Sequence, residues 1–253
     1  MKTRIFSILT AFIFLTGCAE VMTVLNSANV GGPLTESDVI GGLKEALVTG
    51  AQNSARILGA ENGYFGDVAV KILLPDDARI IIDNLSKLPG GDKLVQDVIL
   101  RINRAAEDAA KEAVPIFVNS IKAMTIKDAF NILNGADNAA TDYLRRTTYM
   151  QLYTLYKPKI QASTEKKIIG GISTKDSWVA LTGKWNNLAT SVPGKIAGLK
   201  SVNTDLDDYL TNKALFGMFL KVELEELKIR KDISARISPL LQKVFGSLDK
   251  KAK

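Results

Sequence analysis

From Thr35 onward apolar residues return every three or four positions. Val39, Leu43, Ala46 and Leu47 open the pattern, behind a Thr35/Asp38 pair with the spacing of a capping box. The run predicts a helix ending near Gly59, followed by the loop Glu61-Asn62-Gly63-Tyr64-Phe65-Gly66. Pro75 with Asp76 and Asp77 predicts a second helix whose acids sit at the positive end of the dipole, closed by Pro89-Gly90-Gly91. An Ala-rich helix follows from Asp92 to Ala113, and Pro115 starts a new turn or kinks it. Thr125 and Asp128 cap a short helix ending at Asn134-Gly135. A long helix then runs from about Asn138 through Tyr156, with a break or kink at Lys157-Pro158, because the residue before a proline is pushed out of the α region. Gly170-Gly171 divides the domain into halves. Ser173 and Asp176 open a helix with Trp178, Leu181, Trp185 and Leu188 along one side. Past Pro193-Gly194, Asp205 to Asp232 reads as helix with an interruption near Thr211, and Ser238-Pro239 starts the last helix, which reaches Phe245-Gly246. Val70–Leu74 and Ile80–Ile82 are short enough for either state, but no alternating pattern competes, and no solenoid repeat is present. The expected fold is all-α, a single bundle-like domain of roughly ten helices over residues 34–247.

The start of the chain follows other rules. Lys2 and Arg4 precede an apolar run from Ile5 to Leu15 and the small residues Thr16 and Gly17. That run is shorter than the ~20 residues a spanning helix needs, and residues 1–17 read as an export signal. Leu15-Thr16-Gly17-Cys18 resembles the bacterial lipobox, with the one cysteine of the chain where an acylated cysteine would stand. Lipid attachment at Cys18 through several acyl chains gives a stable anchor where one chain would not. Ala19 replaces the Asp that would suggest inner-membrane retention. By resemblance to sorting patterns, the periplasmic face of the outer membrane is the expected address. Residues 18–33, with Asn26, Ser27, Asn29, Gly31, Gly32 and Pro33, have linker composition and would reach ~50 Å fully extended. Residues 248–253 form a basic tail whose Lys250, Lys251 and Lys253 read as a solvated end.

Composition narrows the chemistry. The 253 residues include one Cys and no His, which rules out a His-based triad, a His-held haem, a Cys/His zinc site and an internal disulfide. Loss of residues 1–17 lowers the formal charge from +6 to +4, with the two signs interspersed. No nucleic-acid partner is expected from such a surface.

Two polar groups stand out. Asn103 and Glu107, flanking Arg104 on an Ala-rich helix, share one face where other helices can approach closely. Phe216, Leu220, Glu223, Leu227 and Arg230 fall at 4-3-4-3 spacing, placing Glu223 and Arg230 on or beside an apolar stripe with Glu226 one turn past Glu223. Glu223 and Glu226 suit a hard cation, while a Glu226–Arg230 pair four residues apart suits packing. Tyr64 and Phe65, in a loop, either plug the core or meet a partner. Trp178 and Trp185 read as core aromatics, with a sugar-stacking surface as the alternative, and Tyr149, Tyr153 and Tyr156 read alike. No cofactor is expected.

Gly63-Tyr64-Phe65, Leu74-Pro75, Asn103-Arg104-Ala105-Ala106-Glu107, Asp128-Ala129, Ile132-Leu133-Asn134-Gly135, Ala139-Ala140-Thr141 with Tyr143, and Lys157-Pro158 resemble, in this order, a family of bacterial lipoproteins known as domain of unknown function 4197. The likeness continues through Asp205-Leu206 with Tyr209, Ala214-Leu215 with Gly217 and Phe219, Glu225-Glu226, Ile229-Arg230 and Lys243-Val244-Phe245-Gly246, and is loosest over Lys166–Ala197. The resemblance implies a helical, membrane-anchored domain and assigns no activity. The expected function is that of a periplasmic lipoprotein acting as a binding or scaffolding module in the cell envelope, for an envelope protein, a cell-wall fragment or a small apolar molecule. The alternative is a carboxylate-dependent envelope enzyme, with or without a metal ion, using Glu107 with Glu223 or Glu226. The enzyme needs these carboxylates together in an open cleft; the module needs them apart or fully paired.

Overall fold

The computed structural model describes residues 32–79, 82–83, 89–169 and 171–249. The export signal, Cys18 and the linker up to residue 31 lie outside the described residues, as do the tail from residue 250 and most of the helix expected after Pro75.

The fold is all-α. In chain order its helices are α1 (Glu36–Gly59), α2 (Gly91–Lys111), α3 (Val114–Lys122), α4 (Ile126–Leu133), α5 (Ala139–Thr164), α6 (Thr174–Thr190), α7 (Val192–Ile196), α8 (Leu206–Lys231) and α9 (Pro239–Asp249). The capping boxes expected at Thr35/Asp38, Thr125/Asp128 and Ser173/Asp176 are formed. In each, the hydroxyl accepts from the amide three residues on, while the Asp carboxylate accepts from the cap's own amide. After Pro75 the described chain makes a 3₁₀ turn at Asp76–Ala78, helical again at Arg79, Ile82 and Asp83.

At two positions where the sequence suggests an interruption, the helix is not broken. α5 runs through Pro158 to Thr164. Proline removes one helical N–H bond there, but Tyr156, Ile160 and Thr164, all fully buried, keep one face on the core across it. α8 likewise passes Thr211, whose hydroxyl donates to the Asp207 carbonyl one turn back (2.6 Å). Gly171, of the expected Gly170-Gly171 division, lies at a two-stranded hairpin that the sequence does not suggest, while Gly170 lies outside the described residues. β1 (Lys167–Ile169) pairs antiparallel with β2 (Ile172–Ser173), with Lys167 opposite Ser173 and Ile169 opposite Ile172.

The antiparallel pair α5 and α8 forms the centre, α2 covers α5, and α1 lies across α2, α8 and the short helices α3 and α4. Leu144, Leu152 and Tyr156 from α5 meet Leu210, Leu215 and Met218 from α8 in one core that also takes in Leu43 and Leu58 of α1. α6 is peripheral: Trp178 is buried, Leu181 and Trp185 are half-buried, and Leu188 is exposed, so the expected stripe is only partly covered.

α9 returns to the start of the body and packs on α1. Gly42 permits the contact, since a Cβ there would lie 2.7 Å from Val244 Cγ2. Beside it Lys243 Nζ donates to Asp38 Oδ2 at 2.7 Å, with both side chains largely buried. The Lys243 ammonium, helped by the Thr35 amide, pulls the Asp38 carboxyl down to about 2 from 3.8. A carboxyl whose pKa falls on folding stabilises fully above its unfolded value and loses that contribution as pH drops through its folded one. Asp38→Asn should therefore flatten the acid limb of a melting-temperature profile between pH 4 and pH 2. An unchanged limb in that window would remove this pair as a source of stability.

Candidate functional site

On α2, Ala106, Ala109 and Ala110 have no exposed surface, so the chain after α1 lies close against the helix. Asn103 clamps that chain: Oδ1 accepts from the Ile72 amide, and Nδ2 donates to the carbonyls of Ile72 and Ile99, each at 2.8 Å. One side chain thus does for Ile72 what a neighbouring strand would do. One turn on, Glu107 Oε1 accepts from the amides of Tyr64 (3.2 Å) and Phe65 (3.1 Å), and Oε2 accepts from Arg104 Nη1 at 2.5 Å. Arg104 Nη2 continues to Asn62 Oδ1 and Glu61 Oε1. Glu107, 3 % exposed, is the anchor of the loop.

That anchorage decides between the two readings of the loop aromatics. Tyr64 plugs the core, fully buried, with its hydroxyl donating to the Ala214 carbonyl of α8 at 2.8 Å. Its ring lies on Gly217, where a Cβ would come within 2.8 Å of Tyr64 Cε1. Burial pushes the Tyr64 hydroxyl well above its usual range, reinforced by the neighbouring Tyr156. Tyr64 is therefore withdrawn from any partner. Phe65 is half-buried under Lys71 Nζ, 4.0 Å from its ring centre.

The second network joins α8 to the α4–α5 junction. Glu226 Oε1 accepts from the Ala140 amide (2.9 Å), and Oε2 accepts from the amide and hydroxyl of Thr141 (2.8 Å each), so the carboxylate occupies the positive end of α5. Arg230 Nε donates to Glu226 Oε1 at 2.9 Å. Its Nη2 donates to Ile132 O (2.7 Å) and its Nη1 to Leu133 O (3.3 Å), the carbonyl end of α4. The pair neutralises both helix ends at the junction while each charge offsets the other. The expected Glu226–Arg230 pair is thus present, with backbone partners that its spacing did not reveal.

Glu223 does not belong here. The buried face of α8 runs through Leu215, Met218, Phe219, Val222, Glu226 and Ile229, whereas Phe216, at 58 % exposure, and Leu227 face outward. Of the 4-3-4-3 stripe only Arg230 is buried, and Glu223 is partly exposed and joins neither network. Glu107 and Glu226 share no partner. Among the described residues no three acidic, His or Cys side chains converge in a way that could hold a metal ion.

Sequence reasoning missed three further buried charges. Arg236 donates to the carbonyls of Ile229 (3.0 Å) and Arg230 (2.8 Å), closing the end of α8, and forks onto Asp249. Asp207 accepts from Thr164 Oγ1 and lies 2.9 Å from Lys175 Nζ, joining α5, α6 and α8. Glu225 accepts from Asn53 and Lys228. Arg236 left a trace as a lone arginine just past a helix that ends in basic residues, and Glu225 only as part of the family-like Glu225-Glu226 pair. Of the aromatics, Tyr149 and Tyr153 donate to Asn212 and Asp208 of α8, and Trp185 Nε1 donates to the Lys200 carbonyl (2.9 Å). Trp178 is 4 % exposed, so the two indoles do not form an open stacking surface.

No helix among the described residues is long and apolar enough to cross a membrane. No curated protein and no solved structure matches the chain. The model of the family described as Protein of unknown function (DUF4197) matches residues 33–246, which span α1 through most of α9 with both polar networks, and the chain belongs to that family.

Proposed function

We propose that this protein is a lipoprotein of the bacterial outer membrane, anchored on the periplasmic face by acyl chains on Cys18, whose helical body serves as a binding or scaffolding module of the envelope. The observation that carries the module reading is the use made of the candidate carboxylates. Both oxygens of Glu107 and of Glu226 are taken up by backbone amides, a hydroxyl and arginine, an arrangement that holds chain segments in place. A general base needs an oxygen within reach of a substrate proton. In the enzyme alternative, the Glu107 and Glu226 oxygens would first have to leave these partners.

The anchoring part rests on the lipobox-like Leu15-Thr16-Gly17-Cys18 and on the linker that follows. Cys18→Ala should move the protein from the detergent-rich to the aqueous phase on detergent partitioning, and mass spectrometry of the parent should find a diacylated or triacylated amino-terminal cysteine. A parent that stays in the aqueous phase with an unmodified terminus would refute the anchor. Glu107→Gln and Glu226→Gln should lower the melting temperature without selectively removing a cellular phenotype of the folded protein. A folded, equally abundant variant without the phenotype would restore the enzyme reading.

A further inference from the structure

The corner where α6 turns into α7 keeps its large apolar side chains on the outside. Ile196 is 83 % exposed, Val192 72 % and Leu188 51 %. Val192 and Ile196 stand four residues apart on α7 and share a face. Single exposed hydrophobics are ordinary, but three grouped at one corner mark a contact surface. The corner is held in shape by its own bonds. The Ser191 hydroxyl accepts from the Gly194 amide (3.2 Å), and Gly194 sits so close to the last turn of α6 that a Cβ there would lie 2.0 Å from the Leu188 carbonyl oxygen. The returning chain is tied to α6 by Trp185 Nε1, which donates to the Lys200 carbonyl, and by the Asn186 side chain, which donates to the Val202 carbonyl (3.0 Å) and accepts from its amide (2.9 Å). Ala189 and Gly194 take the buried inner side.

The charge of this corner has one sign. Residues 177–204 contain Lys184, Lys195 and Lys200 and neither Asp nor Glu. All three lysines are exposed, and among the described residues none of them joins an ion pair. Lys167 and Lys175, before and within the first turn of α6, are by contrast paired to Asp176, Glu165 and Asp207. Asp76, Asp77 and Arg79 line a groove with Leu181 and Trp185, earlier on α6.

We infer that this corner docks on an anionic phospholipid bilayer, with Leu188, Val192 and Ile196 entering the boundary between headgroups and acyl chains while Lys184, Lys195 and Lys200 meet the lipid phosphates. Exposed apolar side chains beside unpaired lysines are the two elements of interfacial membrane binding, one contributing burial and the other attraction to anionic lipid. Lysine stems suit that boundary, because they lie along apolar surface and carry the ammonium to the wet side. A protein groove would also cover the apolar residues, but an acid-free stretch with unpaired cations matches a surface of uniformly opposite charge. The inference goes beyond the module reading and does not require the anchor at Cys18.

The test uses the full chain reconstituted in vesicles, with the environment-sensitive fluorophore nitrobenzoxadiazole attached through Ala197→Cys, an exposed position at the corner. An acylated Cys18 does not take the label, so the unsubstituted chain is the control. A control that labels marks failure of the anchor alone, and the measurement then runs on Cys18→Ala/Ala197→Cys. In vesicles of equimolar phosphatidylcholine and phosphatidylglycerol, the emission should shift to the blue and be quenched by lipids brominated in their acyl chains. In phosphatidylcholine alone it should stay that of an aqueous site. Lys195→Gln and Lys200→Gln should each lower the ratio of docked to free corner about fivefold, the effect typical of one basic residue at an anionic surface. Val192→Ser with Ile196→Ser should abolish the shift and leave the melting temperature near that of the parent, because both side chains are exposed. Aqueous emission in both vesicle types, an equal shift in both, or a shift that survives the double serine variant would overturn the inference. So would a shift in phosphatidylcholine that grows with protein density, which would mark a contact between copies of the chain.

Discussion

Arg230→Ala is expected to destabilise the fold by about 3–5 kcal/mol, the cost typical of removing one member of a buried ion pair. For a domain of this size, that corresponds to a drop of roughly 6–20 °C in melting temperature. Three losses combine. Glu226 keeps its amide and hydroxyl donors from α5 but loses its cation. The carbonyls of Ile132 and Leu133 lose their donor, and the two helix ends that meet at the α4–α5 junction face each other without the guanidinium between them. Replacing both partners by leucine should not restore stability. In many buried pairs an apolar swap is tolerated, but here the amides of Ala140 and Thr141 would be stranded. Thermal and chemical melts of the single and double variants check this. A parent-like Arg230→Ala variant would mean that water reaches the junction in solution.

Tyr64→Ala should cost a comparable ~3–5 kcal/mol, since it empties a fully buried aromatic site beneath a loop tied down on its other side by Glu107. Tyr64→Phe should cost only about 1 kcal/mol, the worth of the bond to the Ala214 carbonyl. The gap between the two variants separates ring packing from hydroxyl bonding. It also reports on Gly217, whose missing side chain makes room for the ring. Equal losses for Phe and Ala would show that the hydroxyl, rather than the ring, carries the site.

What could be read in the residues, and what could not, follows from range and from charge. The capping boxes at Thr35, Thr125 and Ser173 were legible because each closes on itself within three residues. Pro158 misled because its penalty is local and fixed, whereas the burial of Tyr156, Ile160 and Thr164 that outweighs it is tertiary. The hydrophobic stripe of α8 misled for a different reason. Its core-facing side carries Glu226, which an apolar criterion assigns to the surface, while Phe216 and Leu227 on the outer side draw the stripe toward solvent. The family-like stretches Asn103–Glu107 and Glu225–Arg230 coincide with the two polar networks. The backbone groups that Asn103, Glu107, Glu226 and Arg230 hold on other segments are 31 to 98 residues away and leave no periodicity to find. Trp178 was legible as a core residue, but an indole lacking an acceptor is a property of its surroundings alone.

The seating of α9 against α1 brings the first and last described helices together at Asp38 and Lys243. The described body, from α1 to α9, is therefore close to a closed ring in space. A circularly permuted version, with the ends of the body joined by a short glycine-serine bridge and new termini opened at the exposed Pro89-Gly90 turn, should recover the same arrangement.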